Sequence, residues 1–180
     1  MKQSLFLLSI FLLISACQPM PLETLTPEVP PTLPFVDDNV VELQEIPLGI
    51  GYGVDGGWFE LYFTDPAHPD ADSYRNGPDT QLAAAIDDAR LSVDLAVYSL
   101  SLWSIRDALI DALHRGVQVR LVMESDNRDR DVPQELIDAG ITILGDRREG
   151  LMHDKFVIID RTELWLGSMN FTIGGGYKDN

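Results

Sequence analysis

From residue 78 to residue 144 the apolar positions alternate between a helical spacing and short continuous runs. Pro78-Asp79 opens the first helical stretch, where Leu82, Ile86 and Ala89 recur at helical intervals and form one core-seeking face. The run 91–98 reads as the strand that this helix feeds. Ser104, with Asp107 three positions on, is placed to cap a second helix striped by Ile105, Leu109 and Leu113, and Gly116 ends it. Residues 117–123 predict another strand, 133–139 a short helix stopped by Gly140, and 141–144 a further strand. Upstream, an aromatic pattern at 58–64 predicts the strand that starts the folded part, followed by a polar loop over 65–78. The order strand, helix, strand, helix, strand, helix, strand defines the fold class as α/β: a mixed, mostly parallel sheet with helices on both faces. A site in such a fold is expected in the crevice beyond the strand ends.

The first residues have a different character. Residues 5–14 (LFLLSIFLLI) are an apolar run behind a weakly basic head, too short to span a bilayer as a mature helix, and they read as an export signal. The sequence Ile14-Ser15-Ala16-Cys17 resembles the lipobox of bacterial lipoproteins, which implies that Cys17 is lipidated after cleavage and anchors the chain on the extracytoplasmic face of a membrane. Cys17 is the only cysteine, so lipidation would also spare an exported protein a free thiol. The alternative is an ordinary signal peptide cut elsewhere. Residues 18–56 are rich in proline and acid, break helices, and read as an extended tether between membrane and domain, to which Val40, Val41 and Leu43 could add a local strand near the boundary. The organisation expected is therefore signal 1–17, tether 18–56 and domain 57–180.

Charge narrows the partners. The formal net charge is −16, so the overall field repels nucleic acid and anionic lipid alike, and no basic stripe with interleaved aromatics marks a duplex-binding surface. Lys155, Arg147, Arg148 and Arg120 remain candidates for a local positive pocket. His68, His114 and His153 show no metal-ligand spacing and the carboxylates are scattered, so no metal or other cofactor is expected.

The chemistry concentrates near the end of the chain. His153, Lys155, Asp160, Gly167, Ser168 and Asn170 follow the spacing H-x-K-x4-D-x6-G-S-x-N inside an apolar strand-turn-strand frame. Imidazole can attack phosphorus without a metal and form a covalent intermediate that water resolves. An ammonium and an amide can hold non-bridging phosphate oxygens as charge develops, and a serine behind a glycine can approach them closely. His153 is thus assigned as nucleophile or general acid, Lys155 and Asn170 as phosphate ligands, and Ser168 as an orienting donor. Asp160 either orients a histidine and stabilises the site through hydrogen bonds, or is a turn aspartate at a strand end. Glu124 and Asp126, which follow the strand ending at Met123, either reach the same crevice or are solvated loop acids, the second being the expectation; Leu164 and Trp165 are expected to be core.

These six positions, with the apolar residues 156–159 behind the lysine, resemble the HKD motif of the phospholipase D superfamily, and a looser likeness runs from about Trp58 to Thr172. The resemblance implies a phospholipase D-like half-unit, metal-independent phosphodiester chemistry through a phosphohistidine, and a second histidine that protonates the leaving oxygen. Only one motif is present, so a homodimer partner or a second half is the implied source of that histidine. The ten residues after Asn170 hold too little apolar material for the further strand expected after the motif, which favours a domain truncated at its C terminus. Phospholipid head groups are the expected substrate. Extracytoplasmic nucleic acid and a non-catalytic binding module are the alternatives.

Overall fold

The computed structural model describes residues 42–179; the signal segment, Cys17 and the greater part of the expected tether lie outside the described residues. The described residues build a five-stranded sheet and a separate three-stranded one. The larger sheet contains β4 (Ser92–Val97), β5 (Gln118–Met123), β6 (Thr142–Gly145), β7 (Lys155–Ile159) and β8 (Glu163–Leu166), in the order β6-β5-β4-β7-β8. Its β4–β5 and β5–β6 pairs are parallel, while β4–β7 and β7–β8 are antiparallel. The flanking helices are α1 (Asp79–Asp88), α2 (Trp103–His114), α3 (Asp131–Asp138) and the short α4 (Ile173–Tyr177). This is the mixed α/β architecture that the alternating periods predict.

Period-two burial shows how the sequence packs. Val93, Leu95 and Val97 of β4, Val119, Leu121 and Met123 of β5, and Val157 and Ile159 of β7 are buried together with Ile86 of α1, Leu109 of α2 and Leu136 of α3. Each such side chain contributes about 1.5–3 kcal/mol on leaving water. The intervening strand residues face the other way. There Leu144, Leu164 and Leu166 are exposed, so Leu164, expected in the core, lies on the outward set of an edge strand. Trp165 points inward and stacks on Tyr62 with ring centroids 5.4 Å apart.

Two helix ends explain why the strands begin where they do. At the end of α2 Gly116 has φ 88°, its N–H donates to Leu113 O (2.9 Å), and Val117 N–H donates to Ala112 O (3.0 Å). At the end of α3 Gly140 has φ 100° and repeats the pattern, with Gly140 N–H to Ile137 O and Ile141 N–H to Leu136 O. This is the Schellman arrangement, in which a left-handed glycine reverses the chain and the next apolar residue plugs the helix base. Val117 and Ile141 are accordingly buried at the mouths of β5 and β6.

Two expectations need correction. Ser104 does not cap α2, which starts at Trp103 with Leu102 at the cap position; its hydroxyl instead donates to the buried Asp79 carboxylate at 2.5 Å. The tether expected to reach residue 56 contributes β1 (Gln44–Ile46) and β2 (Tyr52–Asp55), which join β3 (Glu60–Phe63) in an antiparallel sheet. Alternation is hard to read in strands of three and four residues among prolines and glycines, and pairing with one another supplies their order.

Candidate active site

The end of the central strand β4 meets the beginning of its antiparallel neighbour β7, with Val97 opposite Lys155. Tyr98 N–H continues the pairing by donating to Asp154 O at 2.7 Å. Alternation places Lys155 on the same side as Val157 and His153 on that side one step further out. Tyr98 fills the corner. Its ring meets the His153 ring edge to face, centroids 4.9 Å apart and planes at 69°, and the Lys155 ammonium lies 5.6 Å from its centroid. His153 is exposed, whereas Lys155 is 9% exposed and donates from Nζ to the His153 carbonyl at 2.8 Å. Burial pushes the Lys155 pKa below its ordinary value, and the neighbouring Asp154 pulls the other way.

The second half of the motif arrives on β8. Phe156 pairs with Leu166, and continuing that register sets Gly167 opposite Lys155. Ser168 is exposed just beyond. A Cβ on Gly167 would meet nothing nearer than Met169 N at 4.0 Å, so packing within the chain does not demand glycine there. Asn170 is half-buried, and its Oδ1 is buried with no hydrogen-bond partner among the described residues. Leaving such an oxygen unsatisfied costs about 1–3 kcal/mol, and because it is an acceptor, any hold on a phosphate oxygen would fall to the Nδ2 donors of the same amide.

The backbone around Asn170 is held from both sides. Phe171 O accepts from Ser101 N (2.8 Å) and Leu102 N (3.2 Å), and Ile173 N–H donates to Ser101 Oγ (3.2 Å). Thr172 caps α4 by accepting from Gly175 N at 3.0 Å. A Cβ on Gly175 would sit 2.3 Å from Asn170 O, so only glycine lets α4 fold back against this turn. Tyr177 closes the arrangement by donating to Asp79 Oδ1 (2.6 Å) and accepting from Gly77 N (3.1 Å). Burial, and then the Asp79 carboxylate, holds that phenol above its ordinary pKa.

Asp160 is not part of this cluster. It lies at the opposite end of β7, about 17 Å from Lys155 at a strand's rise per residue. Its carboxylate accepts from the backbone N–H groups of Arg90, Leu91 and Ser92, the shortest contact being 2.7 Å from Leu91. Those donors hold its pKa below the usual carboxylate value, Ser92 first, then Leu91 and Arg90. The turn reading of Asp160 is therefore the one the geometry carries, and its place among the catalytic residues is corrected: a five-residue strand separates it from the imidazole it was expected to orient.

Other neighbours were misjudged or missed from sequence. Glu124, expected to be solvated, is 5% exposed and accepts the Met152 N–H at 2.7 Å; Asp126 is exposed as expected. Asn127 is buried and its Nδ2 donates to Tyr98 O at 2.7 Å. Position alone was the available signal for Tyr98 and Glu124, since each directly follows a strand at the end where a site is expected. Arg120 drops out of the local cationic set because it is paired with Asp94 within the sheet, Nη2 to Oδ2 at 2.7 Å. Arg147 and Arg148 are exposed. Among the described residues no group of three or more His, Cys, Asp or Glu is arranged to hold a metal ion, and no helix is long and apolar enough to cross a membrane.

A mixed sheet that brings a histidine, a lysine and a Gly-Ser-x-Asn turn to one edge defines the half-unit of phospholipase D-like proteins. The family described as "Cardiolipin synthase, PLD-like domain" matches residues 82–180, and the chain belongs to it. The chain is 39% identical over 93 residues to "Phospholipase D" of Rickettsia bellii, a match covering 51% of this chain and 46% of that protein. It is 38% identical over 96 residues to the human "Mitochondrial cardiolipin hydrolase", covering 52% of this chain and 38% of that one. Among solved structures, the phospholipase D family member Nuc from Salmonella typhimurium superposes with a TM-score of 0.51 at 29% identity, over 55% of this chain and 68% of that chain. The chain thus spans about half the length, or less, of the curated relatives it matches.

Proposed function

We propose that this domain is a metal-independent phosphodiesterase working through a phosphohistidine, with phospholipid head groups as substrate. The observation that carries the reading is the exposed imidazole of His153 beside the buried ammonium of Lys155, both against Tyr98 at the end of the central strands. A nitrogen of His153 attacks phosphorus and the phosphorus–oxygen bond to the head-group alcohol breaks. The departing oxygen takes its proton from a second histidine, contributed by another copy of this chain or by a second half-unit. Water or an acceptor alcohol then gives a proton back to that second histidine, attacks phosphorus, displaces His153 and completes hydrolysis or transfer. Lys155, Asn170 and Ser168 hold the non-bridging oxygens, where preorganised donors matter most. Lipidation of Cys17 and a tether would keep the domain at an extracytoplasmic membrane surface, beside its substrate.

The test offers the chain phosphatidylcholine vesicles and single-stranded DNA in parallel, with chelator present. Released choline, together with a labelled phosphoryl-enzyme that vanishes in His153→Ala, is the expected result. Cleavage of DNA alone would move the substrate to nucleic acid. Turnover of neither by a chain shown to be dimeric would leave a binding module. Mass in solution decides whether a second copy supplies the other histidine.

A further inference from the structure

Residues 146–154 connect β6 to β7 without regular structure and carry His153 near their end. The start of this loop is tied down by Asp146, which accepts from Ser125 N–H and Oγ, and by Arg147 N–H, which donates to Ser125 Oγ. His153 itself is bracketed by two further ties. On one side, Met152 N–H donates to Glu124 Oε2 at 2.7 Å. On the other, Asp154 O accepts from Tyr98 N, while Tyr98 O accepts from Asn127 Nδ2, and Asn127 N–H donates to Glu124 O at 3.0 Å. Both ties run back to Glu124.

Glu124 is 5% exposed and has no salt-bridge partner among the described residues; its carboxylate has only backbone donors, Met152 N–H and, at 3.4 Å, Asp126 N–H. Burying a carboxylate without a cation is costly, and an apolar residue would sit there at less expense if filling space were the only requirement, so an acceptor oxygen is what the position demands. The direction of its strongest bond indicates what it accomplishes: the carboxylate reaches the residue directly before the nucleophile.

We propose that Glu124 is a positioning residue whose side chain clamps the backbone at Met152 and thereby fixes the His153 imidazole against Tyr98 and above Lys155. The inference rests on the reading of His153 as the attacking group. It acts through length and direction more than through charge, so the amide and the shorter acid separate the two. Glu124→Gln keeps an oxygen at the same reach. Glu124→Asp keeps the charge but withdraws it by about 1.5 Å, one carbon–carbon bond.

The experiment measures three quantities in the full chain carrying either substitution: kcat and KM on phosphatidylcholine vesicles, hydrogen exchange at the Met152 amide, and thermal stability. Glu124→Gln is expected to keep kcat within about threefold and to keep the Met152 amide protected. Glu124→Asp is expected to lose about tenfold to a hundredfold in kcat with KM nearly unchanged, the size of effect that small misplacement produces, and to expose the Met152 amide. The reverse order, with Asp near wild type and Gln impaired, overturns the proposal in favour of a charge effect. Equal loss in both, in step with melting temperature, overturns it in favour of a purely structural role. If the wild-type chain turns over no substrate, the phosphodiesterase reading falls alone, and exchange at Met152 still decides the clamp: protection in Gln with exposure in Asp supports it, and protection in both overturns it.

Discussion

Lys155 is the residue at which folding and chemistry pull apart. The residue is 9% exposed, its ammonium donates to a single backbone carbonyl, and desolvation lowers its pKa, so the fold bears a cost to keep it there. Lys155→Met preserves length and removes the buried charge. Melting temperature should stay level or rise, while turnover falls by about 10²–10³, the range for losing one preorganised donor to a developing oxyanion; calorimetry alongside an activity assay checks both directions. Asp160 makes the contrasting case. Its folded-state pKa is depressed by backbone donors, so its ionised form stabilises the fold above the unfolded carboxylate pKa of about 3.9, and that stability is lost as pH falls through the lower folded value. Asp160→Asn should be less stable than the parent at pH 7, with the difference shrinking below pH 4 and no selective effect on kcat. Urea midpoints across that range would show it. Both residues belong to one sequence motif, yet one lies beside His153 and Tyr98 and the other ties a hairpin to the start of β4.

At the scale of elements, the β7–β8 hairpin is the device that presents the motif. It turns through Asp160 and Arg161, both left-handed at φ 52° and 65°, with Thr162 N–H donating to Ile159 O at 3.1 Å. Aspartate tolerates that region and gains its backbone donors there, but an arginine gains nothing from it. Arg161→Gly should relieve the turn and raise stability by up to about 1 kcal/mol, or roughly 2–4 °C in melting temperature. A drop in melting temperature would show that the arginine side chain contributes more than its backbone costs. Helix ends were legible in the sequence because Gly116 and Gly140 act locally through a left-handed backbone. The helix start at Ser104 was not, because a buried carboxylate from another helix outcompeted the local cap.

For the whole molecule, charge is the property with a measurable consequence. Only Lys2, Glu23, Glu28, Asp37 and Asp38 are charged before residue 42, so most of the −16 excess belongs to the described part. An anionic substrate therefore meets a repelling field, and salt should speed encounter instead of slowing it. The rate on vesicles containing anionic lipid is expected to rise between about 0.01 and 0.15 M ionic strength, as the screening length shortens from about 30 to 8 Å; a fall would locate a dominant local positive pocket around the exposed Arg147 and Arg148. The α/β class, the order of most elements and the closeness of His153 to Lys155 were readable from the chain, because periodicity and short-range spacing are local properties. Which acid is buried, which aspartate is distant, how β1 and β2 pair, and that Tyr98 stands between the imidazole and the ammonium were decided only by the tertiary structure. Each of those depends on strand register and on partners between 7 and 70 residues away, which a linear pattern does not specify.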